Sequence, residues 1–539
     1  MTAPFMFLDD CVALYARIQA AETALEFKGR KISWERLDRL VDQVAHMLVN
    51  EGVLPGDFVA FLGRNSDFTL VLMFAVARIR ATFLPVNWRL SPPEVVFILS
   101  DSGARFVITS REFLPLLTEG ANVEVSTRKI IMENRCDEFD GADLWEHRTG
   151  PARRQPQSDV DAEHLVAVLL YTSGTTGAPK GAMLSHAYFT RGARMFLDHP
   201  EMVLRLDPGE QALVCLPMFH VGGLNFCFVL LSQGRGLVIL DDYDPSTMLD
   251  LINTGRIALS TGVPSMLQML LDHPKASETD FSGLRYFVYG AAPMPPPLIE
   301  RAMKKIGCGF ASMYGLTESS GVTYLAPSDH SAQGNDRMLS VGKAFPGVEL
   351  RVIDPEGRSL PLGEIGEIVI RSPQLLLGYW NQPEATSQCF VEGWFRTGDG
   401  ASVDASGYVH LKDRIKDMIA SGGENIYPAE VEKILCRHPS IREIVVVGIP
   451  DERWGETPKA FALLNDGATL TLEDLRAFAA PYLARYKLPR QLELVSILPR
   501  TPSGKVLKRQ LRARSGGQGI SDQQCGDVPV AFIKVNGEI

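Results

Sequence analysis

Short apolar runs closed by turn residues recur along the chain, separated by longer stretches with helical character. "DFVAFLG" (57–63), "RFVITS" (105–110), "ALVCLP" (212–217), "GLVILD" (236–241) and "YFVYGAA" (286–292) each read as a buried strand ending in a turn. Between the first two lies "DFTLVLMFAVARI" (67–79), whose nearly unbroken apolar character predicts a buried helix with an acidic cap at Asp67. Strands alternating with helices imply an α/β fold with mostly parallel sheets. The rhythm changes at "VELRVIDPEGRSLPLGEIGEIVIR" (348–371), where two strands carry Gly/Pro punctuation and no helix intervenes, which predicts a small antiparallel β unit. After Asp413 a second, smaller α/β segment begins. It is expected to hold a helix from Ala429, strands "EIVVVGI" and "KAFALL", and a helix after Thr471.

At 539 residues the chain exceeds what one core supports, so two or more domains are expected, with a boundary in the charged stretch Lys412 to Lys416. It is 45% hydrophobic and 22% charged, the composition of a globular enzyme. A net charge of −10 argues against a nucleic-acid partner. The start, "MTAPFMFLDD", lacks a basic n-region, and the longest apolar run (68–77) is too short to span a bilayer. With eight scattered cysteines and no C-x-x-C pair, these features point to a cytoplasmic protein with reduced thiols and no zinc site.

Chemistry first surfaces at "YTSGTTGAPKG" (171–181), directly after the apolar "LVAVLL". Glycines let successive backbone N–H groups form an anion-binding concavity, hydroxyls add donors and Lys180 adds charge, a set suited to a polyphosphate. The Walker spacing is absent, because Lys180 stands between Pro179 and Gly181. On residues alone a surface loop is the competing reading. For Glu318 the competing reading is a helix-start acid after Thr317, and for Asp399 an Asx turn before Gly400.

Further segments follow in order: "YGLTES" (314–319), "WFRTGDGA" (394–401), "KDRIKDMIASGGENIYPAEVE" (412–432) and "PRTPSGKVLK" (499–508). Together with the first loop they resemble the acyl-adenylate-forming ligases: acyl-CoA synthetases, carrier-protein adenylation domains and beetle luciferases. "LPMFHVGGL" and "SGGENIYPAEVE" look most like bacterial fatty-acid–CoA and aryl–CoA ligases. The resemblance spans roughly residues 10 to 515.

The resemblance implies a large AMP-binding domain (1–413) of stacked α/β sheets with a barrel-like β unit. A small mobile C-terminal domain (414–515) and an atypical tail (516–539) follow. It implies ATP, Mg2+ and coenzyme A as reaction partners and a small carboxylic acid as substrate. Peripheral membrane contact and self-association stay open.

By the same resemblance, Thr172, Ser173, Gly174, Thr175, Thr176, Gly177 and Lys180 cradle pyrophosphate, and Glu318 is the magnesium carboxylate. Gly290, Ala291, Ala292 and Tyr314 surround the adenine, Gly315 and Thr317 bind the same nucleotide, and Asp399 and Arg414 meet the ribose. Lys416 is the hinge, and Lys505 bridges carboxylate and α-phosphate during adenylation. Gly422 and Gly423 leave room for the pantetheine arm, while Arg485 and Lys487 resemble the cations that meet the phosphates of coenzyme A. His220 resembles the gate of the acyl site, with Val221, Gly222, Gly223 and Val263 along it.

The segments expected to line that tunnel (221–228, 263–266, 289–292, 313–315) contain no Asp, Glu, Lys or Arg. An unpaired buried charge is costly, so the acyl tail is expected to be uncharged. A medium or long fatty acid is the leading substrate and an aryl carboxylate the alternative. A luciferase-like oxidation of the adenylate is a further reading that the shared motifs leave open. The last segment, Gly526 to Ile539, echoes Gly455 to Gly467 and departs from the family pattern.

Overall fold

The computed structural model of the chain describes residues 5–118, 129–132, 161–172, 179–414, 417–421, 424–451, 454–500 and 506–515. The chain divides into two compact units, Met1–Leu411 and Lys412–Ile539.

The first unit is organised around two large sheets. One has nine strands in the spatial order Lys343–Ala344, Ser320–Leu325, Gly309–Leu316, Tyr286–Gly290, Ile257–Gly262, Gln211–Val214, Gly236–Ile239, Thr23–Phe27 and Arg30–Ser33. From Gly309–Leu316 to Thr23–Phe27 neighbouring strands run parallel, with antiparallel strands at both ends. The other has seven strands, with Phe58–Leu62 between Thr82–Val86 and Phe106–Thr109, and with Val166–Thr172, Lys180–Ser185 and Gly378–Tyr379 toward one edge.

Alternation along each strand decides the layering, because successive side chains point to opposite faces. Ala212 and Val214 enter a core shared by both sheets, whereas Leu213 enters a second core behind the nine-stranded sheet. Val59 and Phe61 likewise enter the shared core, and Ala60 and Leu62 a third core on the far face. The helices Asp67–Arg78 and Val221–Leu231 contribute to the shared core, which explains their lack of a polar face.

The helix at 67–78 starts differently from expectation. Its cap is Ser66, whose hydroxyl accepts from the Thr69 N–H in a capping box. Asp67 is instead buried and paired with Arg30, whose Nη2 lies 2.7 Å from Oδ1. The expected antiparallel unit is present: Glu349–Ile353 pairs with Gly366–Arg371, and that strand with Trp394–Val403.

In the second unit Ile441–Asp451 and Gly455–Leu464 form an antiparallel pair, and Gln491–Leu494 lies parallel to the latter. Val446 faces one core while Val445 and Val447 face another, so this small sheet is also covered on both sides. Its helices are Pro428–Leu435, Leu472–Ala479 (capped by Thr471) and Lys508–Ser515. Among the described residues the six cysteines are free, and no helix is long and apolar enough to cross a membrane.

Candidate functional site

In an open parallel sheet, ligands bind beyond the carboxyl ends of the strands. Tyr286–Gly290 leads into Ala291 and Ala292, Gly309–Leu316 carries Tyr314 near its end, and Ile257–Gly262 leads into Val263. The parallel register sets Gly290 opposite Met313 and Gly262 opposite Tyr289, so these ends are neighbours. Ala291 and Ala292 are exposed, and Ala291 has φ +64°, a left-handed conformation uncommon outside glycine. Gly290 has a structural reason of its own: a Cβ there would stand 2.5 Å from the Met313 carbonyl oxygen.

Glu318 does not start a helix. It lies in the turn of a hairpin between Gly309–Leu316 and Ser320–Leu325, so the competing helix-cap reading fails. The turn needs Gly315, because a side chain there would overlap the Ser320 carbonyl, and it needs Ser320 at φ +51°. Buried Tyr188 holds it from below, its hydroxyl donating to the Thr317 carbonyl at 2.9 Å. Leu376 N–H donates to the Glu318 carbonyl at 2.8 Å.

Asp399 is not in a turn either. It sits within the strand Trp394–Val403, 8% exposed, and its Oδ2 accepts the Tyr314 hydroxyl at 2.7 Å. Its own N–H donates to Thr397 Oγ1, which in turn donates to the Ile368 carbonyl. Two motifs 85 residues apart therefore meet through one hydrogen bond.

The hydroxyl-rich loop joins two antiparallel strands, with Thr172 opposite Lys180 at its base. Lys180 Nζ lies 5.1 Å from the centroid of the Tyr379 ring, a cation–π contact. Tyr379 Oη in turn donates to Glu318 Oε1 at 2.7 Å. Burial and the Glu318 carboxylate push the Tyr379 phenol well above its ordinary value, which keeps it protonated as a donor. The sequence reading missed Tyr379. It carries no local signal in "LLLGYW", and only the fold brings it to residues 61 and 199 positions away.

His220 is the residue before the helix Val221–Leu231, with its ring edge-on to Phe219 at 4.8 Å. Its Nε2 is buried without a hydrogen-bond partner. Burial first, then the Arg89 guanidinium, push its pKa down to about 4, so the ring is neutral at physiological pH. Arg89 is paired with Asp242 and lies over Trp88 and Phe219. Gly222 is exposed, with 3.9 Å of clearance for a Cβ, whereas a Cβ at Gly223 would collide with the Pro217 carbonyl. Gly222 therefore leaves open space, while Gly223 and Gly290 serve close packing of the chain on itself.

In the second unit Arg485 is exposed and Lys487 is paired with Glu430 at 2.7 and 2.8 Å. Ser173, Gly174, Thr175, Thr176, Gly177, Lys416, Gly422, Gly423, Lys505 and the tail 516–539 lie outside the described residues, as does the side chain of Arg414.

Residues 14–380 match the AMP-binding enzyme family, and residues 430–505 match the AMP-binding enzyme C-terminal domain. A fatty acid–[acyl-carrier-protein] ligase of Streptomyces coeruleorubidus is 37% identical, with 94% of this chain and 96% of that one covered. A feruloyl-CoA synthase of an Amycolatopsis species is also 37% identical, over 93% of this chain and 97% of its own. Among solved structures, the o-succinylbenzoate CoA synthetase of Bacillus subtilis in complex with its acyl-adenylate intermediate superposes with a TM-score of 0.80. It is 29% identical, with 93% of this chain and 98% of that chain covered. The chain belongs to the AMP-binding enzyme family and is an acyl-adenylate-forming ligase of the AMP-forming acyl-CoA synthetase kind, a class that works with ATP, Mg2+ and coenzyme A.

Proposed function

We propose that this chain adenylates a medium- or long-chain fatty acid and then transfers the acyl group to coenzyme A. The observation that carries the substrate class is the absence of Asp, Glu, Lys and Arg from the segments beside His220, Val263, Gly290 and Tyr314. Two polar side chains on these segments are engaged within the protein through their hydroxyl and amide N–H groups, while the Asn225 Oδ1 is buried without a partner. Tyr289 is buried with its hydroxyl 2.9 Å from His330 Nε2, and Asn225 donates to Ser320 Oγ at 2.8 Å.

In the first half-reaction a carboxylate oxygen of the acid attacks the α-phosphate, a P–O bond forms, and pyrophosphate leaves. Thr172 and the loop that follows donate hydrogen bonds to the departing pyrophosphate, and Lys180 neutralises part of its charge. Asp399 holds the ribose hydroxyls, and the small exposed Ala291 and Ala292 admit the adenine. Among the described residues no three His, Cys, Asp or Glu side chains converge on a metal site. One carboxylate suits a Mg2+ that keeps waters and phosphate oxygens as its other ligands, and Glu318 fits that need. The ion would supply charge neutralisation on the triphosphate. Lys505 clamps the carboxylate and α-phosphate. In the second half-reaction the small unit turns about Lys416 and presents Gly422 and Gly423 to the pantetheine arm. The thiolate attacks the acyl carbon, and the C–O bond to AMP breaks. The Lys487–Glu430 pair leaves Arg485 as the more available cation for coenzyme A phosphates.

An aryl acid is the second reading, since the feruloyl-CoA synthase is as similar as the fatty-acid ligase. A panel of acids, scored for AMP and for thioester with coenzyme A or acyl carrier protein, tests the proposal. For hexanoate through palmitate, kcat/KM should rise with length, each buried CH2 adding about 0.8 kcal/mol until the tunnel is full. Preference for ferulate or malonate, or thioester formed only on the carrier protein, would contradict it.

A further inference from the structure

The segment Leu376–Asn381 runs from the Glu318 hairpin to the strand that begins at Lys180. Its contacts fix it at both ends. Leu376 N–H donates to the Glu318 carbonyl, Leu377 N–H to the Met183 carbonyl at 2.9 Å, and Trp380 N–H to the Gly181 carbonyl at 2.8 Å. Gly378 and Tyr379 pair with Met183 and Ala182 as an added edge strand. Farther out, Trp380 Nε1 and Asn381 Nδ2 both donate to the Asp101 carbonyl at 3.1 Å. The Tyr379 N–H is tied to Thr386 Oγ1 at 2.8 Å. Gly378, at φ +150°, packs against that same threonine.

Tyr379 is 8% exposed. Its two faces of chemistry are used on different partners. The ring plane meets the Lys180 ammonium, and the hydroxyl meets the Cys389 thiol and one oxygen of Glu318, which leaves the other carboxylate oxygen for a ligand. Hydrogen-bonded partners of this kind fix the orientation of a metal-binding carboxylate, and their loss lowers metal affinity or activity by about 10- to 100-fold.

We propose that Tyr379 is a positioning residue for the metal–triphosphate end of the site, orienting the Glu318 carboxylate through its hydroxyl and seating Lys180 against its ring. This rests on the reading of Glu318 and Lys180 as the magnesium and pyrophosphate groups. It makes the strap 376–381 the part that sets the spacing between two groups from separate sheets.

The test uses the full chain with Mn2+ as a spectroscopic substitute for Mg2+. Mn2+ binding is followed by electron paramagnetic resonance in the presence of a non-hydrolysable ATP analogue, for wild type, Tyr379→Phe, Tyr379→Leu and Glu318→Gln. Tyr379→Phe keeps the ring and loses the hydroxyl, so Mn2+ affinity should fall about 10-fold while affinity for the metal-free analogue is unchanged. Tyr379→Leu should weaken both, because Lys180 loses its seat. Melting temperatures monitor folding, and a merely structural role would lower them without moving the Mn2+ titration. If Glu318→Gln weakens Mn2+ binding and Tyr379→Phe does not, the inference on Tyr379 is overturned and the functional reading stands. If Glu318→Gln leaves Mn2+ binding unchanged, the metal reading of Glu318 falls, and the inference with it.

Discussion

At the scale of single residues, the site is defined by groups whose surroundings fix their charge. His220 is the clearest. The unfolded chain takes up a proton on this ring near pH 6.5, whereas the folded chain does so only at about 4, because burial and Arg89 disfavour the imidazolium. The folded-state pKa is depressed, so the neutral ring contributes stability fully above pH 6.5, and that contribution is lost as pH falls through 6.5 toward 4. His186, buried and pushed down to about 3 by burial and Arg80, acts in the same direction, so the comparison must isolate one ring. Melting temperature measured against pH for wild type and His220→Asn should therefore converge between pH 6.5 and 4, with the variant the flatter curve. Parallel curves would mean that His220 titrates normally in the folded chain. The residue type and place of His220 were legible in "LPMFHVGGL"; its neutrality was not, because it depends on Arg89, 131 positions away. Tyr379 was not legible at all, and Asp67 was misread as a cap because its partner Arg30 lies 37 residues upstream.

At the scale of elements, local patterns carried most of the fold. "TLED" at 471–474 announces a helix, and Thr471 and Asp474 do form a capping box. The strand–turn–strand stretch 348–371 pairs as its punctuation suggests. Glu318 shows where local pattern runs out: Thr followed by an acid looks like a helix start, yet strand pairing on both sides makes it a hairpin turn. The glycines divide for a similar reason. Smallness is visible in the sequence, but the atom that exploits it is not. On the helix Val221–Leu231, Gly222→Ala has room, with Leu216 Cδ1 at 3.9 Å. Gly223→Ala would drive Cβ into the Pro217 carbonyl, a backbone atom that cannot swing away. Denaturant unfolding should show Gly223→Ala destabilised by about 1–3 kcal/mol and Gly222→Ala unchanged or slightly stabilised. Gly222→Ala should also shift the preferred acid toward shorter chains. Equal stability of the two variants would contradict the packing assigned to Gly223.

At the scale of the whole molecule, the family assignment rests on matches to both units, 14–380 and 430–505, and the chemistry we propose divides between them. In that proposal the pyrophosphate loop, the adenine pocket and Asp399 come from the first unit, whose parallel strands end together, and the ribose contact Arg414 from the second. In the same proposal the second unit supplies Lys505 for adenylation and the glycines 422–423 for thioester formation. That division was legible only through the ordered motifs, since no periodicity or composition distinguishes a catalytic lysine in "PSGKVLK" from a solvated one. The measurement that tests it most directly is a pair of half-reactions on Lys505→Ala, with circular dichroism to establish folding. Adenylation of dodecanoate by Mg-ATP, read as pyrophosphate release, should fall roughly a hundred- to a thousandfold. Transfer of the acyl group from supplied dodecanoyl-AMP to coenzyme A should proceed at close to the wild-type rate. If both half-reactions fall together in a folded variant, or neither falls, the proposed division of labour between the two faces of the small unit is wrong.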